Sequence, residues 1–128
     1  MSDHSALDGR IRVLAADDDP TVALMMRIAL PATDFSVSVV ADGNAAAEAM
    51  SAHAFDIVLL DVEMPGLDGL QLAAAARQRI GPDFPIVLLT GREDAAFLAR
   101  CNELGARHVG KPVDWKALAG LVRSWVSH

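Results

Sequence analysis

Two stretches of this chain are apolar at every position, Ile57-Val58-Leu59-Leu60 and Pro85-Ile86-Val87-Leu88-Leu89. A half-exposed strand alternates apolar and polar residues, so a short continuous run reads as a strand covered on both faces. Ile11-Arg12-Val13-Leu14-Ala15-Ala16 and the β-branched stretch Phe35 to Val40 read as two more strands, and His108-Val109 as a short fifth one. Helical stretches lie between them. Pro20 to Leu30 starts on a proline suited to the first turn and puts Val22, Met25, Met26 and Ala29 on one face. Ala41-Asp42-Gly43-Asn44 reads as a turn, followed by a helix from Ala45 to His53. Gly69 to Arg79 is broken by Gly81-Pro82, and Glu93 to Leu104 is stopped by Gly105. Asp114 can cap a last helix that runs to Val126.

Five βα units in succession imply an α/β domain with a parallel sheet and helices on both faces. Right-handed crossovers leave few topologies, and the common small one is a doubly wound sandwich of strand order 2-1-3-4-5. The 128 residues suffice for one domain, expected over 10–126, with tails at 1–9 and 127–128. The sequence shows no internal repeat or low-complexity tract, and its hydrophobic fraction of 52% is too high for disorder. No apolar run approaches the ~20 residues that span a membrane, and Met1 to Arg12 has no signal-like apolar core. Cys101, the single cysteine, has no internal disulfide partner, which fits a reducing, cytoplasmic setting. The net charge of −6 argues against a direct nucleic-acid surface while leaving room for a bound cation.

In such a sheet the ligand crevice lies at the carboxyl ends of the strands, where the order reverses. The residues there are Asp17-Asp18-Asp19 after the first strand, Asp61 after the third, Thr90 after the fourth and Lys111 after the fifth. Strands one and three would be neighbours about 4.8 Å apart, so Asp17, Asp18 and Asp61 would share one pocket. Carboxylates that close raise one another's pKa and require compensation. A hard divalent cation such as Mg2+ supplies it, with Lys111 adding a fixed charge and Thr90 a hydroxyl. A carboxylate nucleophile, a hard cation, an ammonium and a hydroxyl are the groups needed to accept a phosphoryl group, with Asp61 attacking phosphorus. Singly, each has a plain structural reading as a helix cap, a strand-end hydroxyl or a solvated lysine. Jointly, at four strand ends, they point to phosphoryl chemistry.

Four segments, in this order and at these spacings, resemble the receiver domain of bacterial two-component response regulators, a CheY-like, flavodoxin-like fold, over about Arg10 to Val126. They are Val13-Leu14-Ala15-Ala16-Asp17-Asp18-Asp19-Pro20; residues 55–69, which include Asp61 and Met64-Pro65-Gly66-Leu67-Asp68-Gly69; Pro85 to Gly91; and Gly110-Lys111-Pro112. The resemblance implies that Asp61 accepts a phosphoryl group from a sensor histidine kinase or a histidine phosphotransfer protein. It implies Mg2+ bound by Asp18, Asp61 and the backbone carbonyl of Glu63, with Asp17 acting through a water. It implies that Lys111 and Thr90 hold the phosphoryl oxygens, that Met64-Pro65-Gly66 forms a tight loop beside the site and that the Lys111-Pro112 bond is cis. Slow autodephosphorylation follows, with no other enzymatic activity. A downstream protein, or a second copy in a homodimer, would dock on the face of the fourth helix, fifth strand and fifth helix.

The resemblance also marks departures. The position of the aromatic switch residue, three before Lys111, holds His108, and the stretch from Gly105 to Lys111 is about one residue shorter than usual. His108 would then be a smaller switch ring or a plain strand histidine. Glu63 and Arg92, each second after a site residue, carry opposite charges and are expected to bridge the mouth of the site and shield an acyl phosphate. Asp19 reads as a helix-start acid.

Two other readings compete. Asp17-Asp18-Asp19-Pro20-Thr21 fits the opening of the haloacid-dehalogenase-like phosphatases, with Asp17 as nucleophile and Asp19 as acid/base. That reading leaves Asp61 without a role and finds only Asp114 where an acidic pair is needed. A docking-only receiver would lack an acid, the threonine or the lysine, and none is missing. The given sequence stops at His128 without an output domain, as expected of a stand-alone receiver or of a piece of a longer regulator or hybrid kinase. His4, His53 and His128 lack metal-ligand spacing, Cys101 reads as a packing residue, and Met25 and Met26 as packing on the first helix. Trp115 and Trp125 share a stripe with Leu118 and Val122 that reads as core packing, one tryptophan being available to a partner.

Overall fold

The structure, a computed structural model, describes residues 9–64 and 68–126. Pro65 and Gly66, where a tight loop is expected, together with His4 and His128, lie outside the described residues. Strands β1 (Ile11–Ala16), β2 (Phe35–Val40), β3 (Ile57–Asp61), β4 (Ile86–Thr90) and β5 (Arg107–Gly110) alternate with helices α1 (Pro20–Ala29), α2 (Gly43–Ala52), α3 (Gly69–Ile80), α4 (Ala95–Leu104) and α5 (Trp115–Val126). All strand pairs are parallel, and the sheet order is β2-β1-β3-β4-β5, as the sequence implies.

Alternation along the central strands sorts the core into two layers. Leu14, Ala16, Val58, Leu60, Ile86 and Leu88 point to one face and pack on Ala46 of α2, Leu72, Ala73 and Ala76 of α3, and Phe97 and Cys101 of α4. Val13, Ala15, Ile57, Leu59, Val87 and Leu89 point to the other and pack on Met26 of α1 and Leu118 and Val122 of α5. Trp115 and Trp125 lie half-buried against the second layer, and Cys101 is buried in the first. These side chains therefore do the packing work expected of them.

Helix starts differ from the sequence expectation where an aspartate caps. The Asp42 carboxylate accepts the Ala45 N–H at 2.7 Å, so α2 begins at Gly43 rather than Ala45. Asp94 accepts from Phe97 N–H at 3.1 Å, so α4 begins at Ala95 rather than Glu93. Asp19 caps α1 by accepting from Thr21 N–H, the helix-start role expected of it. The phosphatase reading needs that carboxylate as an acid/base. Gly105 ends α4 in the left-handed conformation, φ 63°, as its C-cap role requires.

Arg77 ties α3 to its neighbours, a contact the sequence does not announce. Its guanidinium donates to the carbonyls of Leu104 (2.6 Å), Gly81 (2.8 Å), Phe84 (2.7 Å) and Gly105 (3.1 Å). One cation thus satisfies carbonyls at the end of α4 and in the loop before β4. At the same end of the sheet, Arg12 pairs with Asp56 through a two-pronged contact of 2.9 and 3.1 Å, and its backbone N–H adds a third bond at 2.8 Å.

Candidate functional site

The sheet register brings the strand ends together. Asp17 follows β1, and its N–H donates to the Val40 carbonyl. Asp61 closes β3 opposite Leu89, and Thr90 closes β4 opposite Gly110. The Lys111 N–H donates to the Thr90 carbonyl at 2.9 Å, which holds the lysine beside the threonine. The Lys111-Pro112 bond is cis.

Asp17, Asp18 and Asp61 each offer a carboxylate oxygen, and these oxygens lie within 4.8 Å of one another. Asp17 and Asp61 are buried and Asp18 is exposed. Lys111 Nζ sits 2.8 Å from Asp61 Oδ1 and 4.0 Å from Asp17 Oδ2. The Glu63 N–H also donates to Asp61 Oδ1, at 3.2 Å. Among the described residues, every hydrogen bond to the Asp61 carboxylate therefore lands on one oxygen. Thr90 is buried, and its Oγ1 accepts from the Arg92 N–H at 2.8 Å, which leaves its own proton available to an acceptor in the pocket.

The electrostatics show a pocket short of positive charge. Burial pushes the Asp17 carboxyl above its ordinary value, and the nearby Asp61 and Asp18 charges add to the rise. The Asp19 N–H and Lys111 oppose it without cancelling it. Burial alone would lower the Lys111 ammonium, but its hydrogen bond to Asp61 and the Asp61, Asp17 and Glu63 charges hold it above the usual lysine range. Among the described residues, Asp17 Oδ2 is the one buried side-chain oxygen or nitrogen with no hydrogen-bond partner. An orphaned carboxylate oxygen facing two further carboxylates is a donor set of hard oxygens, which fits a hard divalent cation.

One expectation needs correction. Arg92 does not bridge to Glu63. Its guanidinium forks onto Asp94 at 3.0 and 3.1 Å and lies 4.9 Å from the centre of the Phe97 ring. Asp94 wins because it is two residues away and already fixed as the cap of α4, so little entropy is lost in pairing. His108 stands exposed on β5, opposite Leu88 in the register.

Sequence reasoning missed Asp94 as the partner of Arg92, although an aspartate two residues after the arginine and ahead of a helical run was the available signal. It also missed Gly69. A Cβ on that residue would stand 2.7 Å from the Asp61 carbonyl oxygen and 2.9 Å from Val62 Cα, so α3 packs directly on the backbone that carries the site.

Comparison with known proteins agrees with this geometry. The sequence model of the response regulator receiver domain matches residues 13–123. The chain is 37% identical over 116 residues to the DNA-binding response regulator MtrA of Mycolicibacterium smegmatis, covering 90% of this chain and 50% of MtrA. It is 36% identical over 119 residues to the sensor histidine kinase GacS of Pseudomonas protegens, covering 89% of this chain and 13% of GacS. The chain thus spans half or less of these curated relatives. Among solved structures it superposes on chemotaxis response regulator CheY4 of Vibrio cholerae with a TM-score of 0.81 at 25% identity, covering 91% of this chain and 98% of that one. It superposes on the receiver domain of a Syntrophus aciditrophicus signal transduction histidine kinase with a TM-score of 0.80 at 29% identity, covering 91% and 89%. With its acidic strand ends, its paired lysine and a family match over most of its length, the chain belongs to the response regulator receiver domains of two-component signal transduction.

Proposed function

We propose that this domain accepts a phosphoryl group on Asp61 from a phosphohistidine and holds it as an acyl phosphate that changes what the domain binds. The observation that carries the proposal is Lys111 Nζ at 2.8 Å from Asp61 Oδ1, inside a pocket that also holds Asp17 and Asp18. A carboxylate with one oxygen engaged by donors keeps the other for attack. That oxygen adds to phosphorus, the P–N bond of the phosphohistidine breaks, and its electron pair returns to the imidazole nitrogen. Lys111 meets the charge gathering on the phosphoryl oxygens, and the Thr90 hydroxyl donates to one of them. Water later attacks phosphorus, releases inorganic phosphate and restores the Asp61 carboxylate.

Asp18 and Asp61, with the backbone carbonyl of Glu63, would hold Mg2+, and Asp17 would act through a water. When bound, the cation neutralises charge on the transferring group. The donor is a sensor histidine kinase or a histidine phosphotransfer protein, and the setting is the cytoplasm. Among the described residues no helix is long and apolar enough to cross a membrane. The output surface is the face of α4, β5 and α5, for a downstream protein or a second copy. The net charge of −6 disfavours direct contact of this domain with nucleic acid.

Intact mass after incubation with acetyl phosphate tests the proposal. Gain of one phosphoryl group by the wild type with magnesium, and by neither the chelated wild type nor Asp61→Asn, supports it. Equal gain in Asp61→Asn would move the nucleophile to Asp17 and favour the phosphatase reading.

A further inference from the structure

Helix α3 starts against the end of β3, and the contact is backbone on backbone. The Gly69 N–H donates to the Val62 carbonyl at 3.2 Å. A Cβ added at Gly69 would meet the Asp61 carbonyl oxygen at 2.7 Å, Val62 Cα at 2.9 Å and the Asp61 carbonyl carbon at 3.1 Å. None of these atoms can swing away as a side-chain tip can. Gly69 does not have the positive φ found at Gly9, Gly81 and Gly105, so the backbone conformation alone does not demand glycine. Glycine in a helix costs about 0.5–1 kcal/mol relative to alanine, so its use here points to space rather than torsion.

The helix cannot easily back away. Asp68 and Gln71 form a reciprocal capping box, with both hydrogen bonds at 2.9 Å, that fixes where α3 begins. Leu72, Ala73 and Ala76 bury the next two turns in the core. An added methyl group would therefore be relieved at the Asp61–Val62 peptide. That peptide lies between the Asp61 carboxylate and the Glu63 carbonyl, and Glu63 N–H holds Asp61 Oδ1.

We infer that Gly69 is a positioning residue for the phosphoacceptor: its missing side chain lets α3 set the Asp61–Val62 peptide, and through it the Asp61 carboxylate and the Glu63 carbonyl. The inference rests on the proposed role of Asp61 and adds a residue that touches neither substrate nor cation. A shift of about 1 Å at a reacting group costs on the order of 100-fold in rate.

The test uses the full chain as wild type, Gly69→Ala and Gly120→Ala. The last adds a methyl group to α5, where nothing lies within 4 Å. Three quantities are measured: phosphorylation rate from acetyl phosphate at saturating magnesium, magnesium affinity by calorimetry, and melting temperature. Gly69→Ala should phosphorylate about 10- to 100-fold more slowly and bind magnesium about ten-fold more weakly, while Gly120→Ala matches wild type in rate and affinity and melts no lower. A folded Gly69→Ala with wild-type rate and magnesium affinity, whatever its melting temperature, would overturn the inference. If Gly69→Ala does not fold, Asp68→Ala decides. It loosens the same helix start without adding an atom, and it should weaken magnesium binding about two- to five-fold; unchanged affinity overturns the inference. Failure of the wild type to phosphorylate would count against the proposed function alone, because the magnesium affinities still compare wild type with variant.

Discussion

Replacing Asp17 by asparagine should make the metal-free protein more stable, the reverse of what removing a buried charged group usually does. The oxygens of Asp17, Asp18 and Asp61 lie within 4.8 Å of one another. Two unit charges at that distance repel by about 3–4 kcal/mol at an effective dielectric near 20. Asp17 faces two such neighbours, the exposed Asp18 counting for less because water screens it. Lys111 at 4.0 Å returns about 4 kcal/mol of attraction, roughly one of the two repulsions. The remainder is a residual repulsion together with the cost of the unpartnered Asp17 Oδ2, about 1–3 kcal/mol for a buried group without a hydrogen bond. Asparagine keeps an acceptor for the Asp19 N–H, now bonded to Asp17 Oδ1 at 2.9 Å, and can place its amide toward the neighbouring carboxylates. The expected gain is about 1–3 kcal/mol, a rise of roughly 3–10 °C in melting temperature for a domain of this size. Thermal melts followed by circular dichroism at neutral pH, with a chelator and then with excess magnesium, measure it. Magnesium should raise the wild type more than Asp17→Asn, because binding to the native state alone adds stability. A lower melting temperature for Asp17→Asn under chelation would refute the reasoning, since it would mean that the ionised Asp17 is already compensated by the protein.

Arg77→Ala should cost about 2–4 kcal/mol by chemical denaturation, because it strips a charged donor from four carbonyls and leaves those at the end of α4 and in the loop before β4 unpaired; a loss below about 1 kcal/mol would mean that water replaces the guanidinium freely. Burial raises the Asp56 carboxyl, but the Arg12 hydrogen bonds and charge outweigh it and hold the pKa below its ordinary 3.8. The pair's stability, about 1–2 kcal/mol, should therefore be present above pH 3.8 and be lost as pH falls through the lowered folded value. Asp56→Asn should flatten that acid limb in a pH series of denaturation midpoints. Because Arg92 is held by Asp94 on the surface, Arg92→Ala should change the acyl-phosphate half-life by less than about two-fold; a larger shortening, measured by decay of the phosphorylated mass, would restore a shielding role.

The sheet was legible because β3 and β4 are apolar at every position up to their closing Asp61 and Thr90, the pattern of a strand covered on both sides. The order of the strands then made the site legible, since it forces Asp17, Asp18, Asp61, Thr90 and Lys111 to one end. Helix starts were read two residues late at α2 and two early at α4. Caps depend on a side chain turning back to a particular N–H, and a string of residues such as Arg92-Glu93-Asp94 offers several. The expected Glu63–Arg92 bridge failed for a related reason: charge complementarity names possible partners, but proximity along the chain chose Asp94. Gly69 was out of reach altogether, because its importance lies in the distance between two backbones.

The most direct test of the account is chemical location of the acceptor. Borohydride reduces an acyl phosphate of aspartate to homoserine, which peptide mass spectrometry can place. After treatment with acetyl phosphate and magnesium, the account predicts homoserine at position 61 and at no other aspartate, with none formed under chelation. Homoserine at position 17, or phosphorylated protein that yields no homoserine at all, would contradict it.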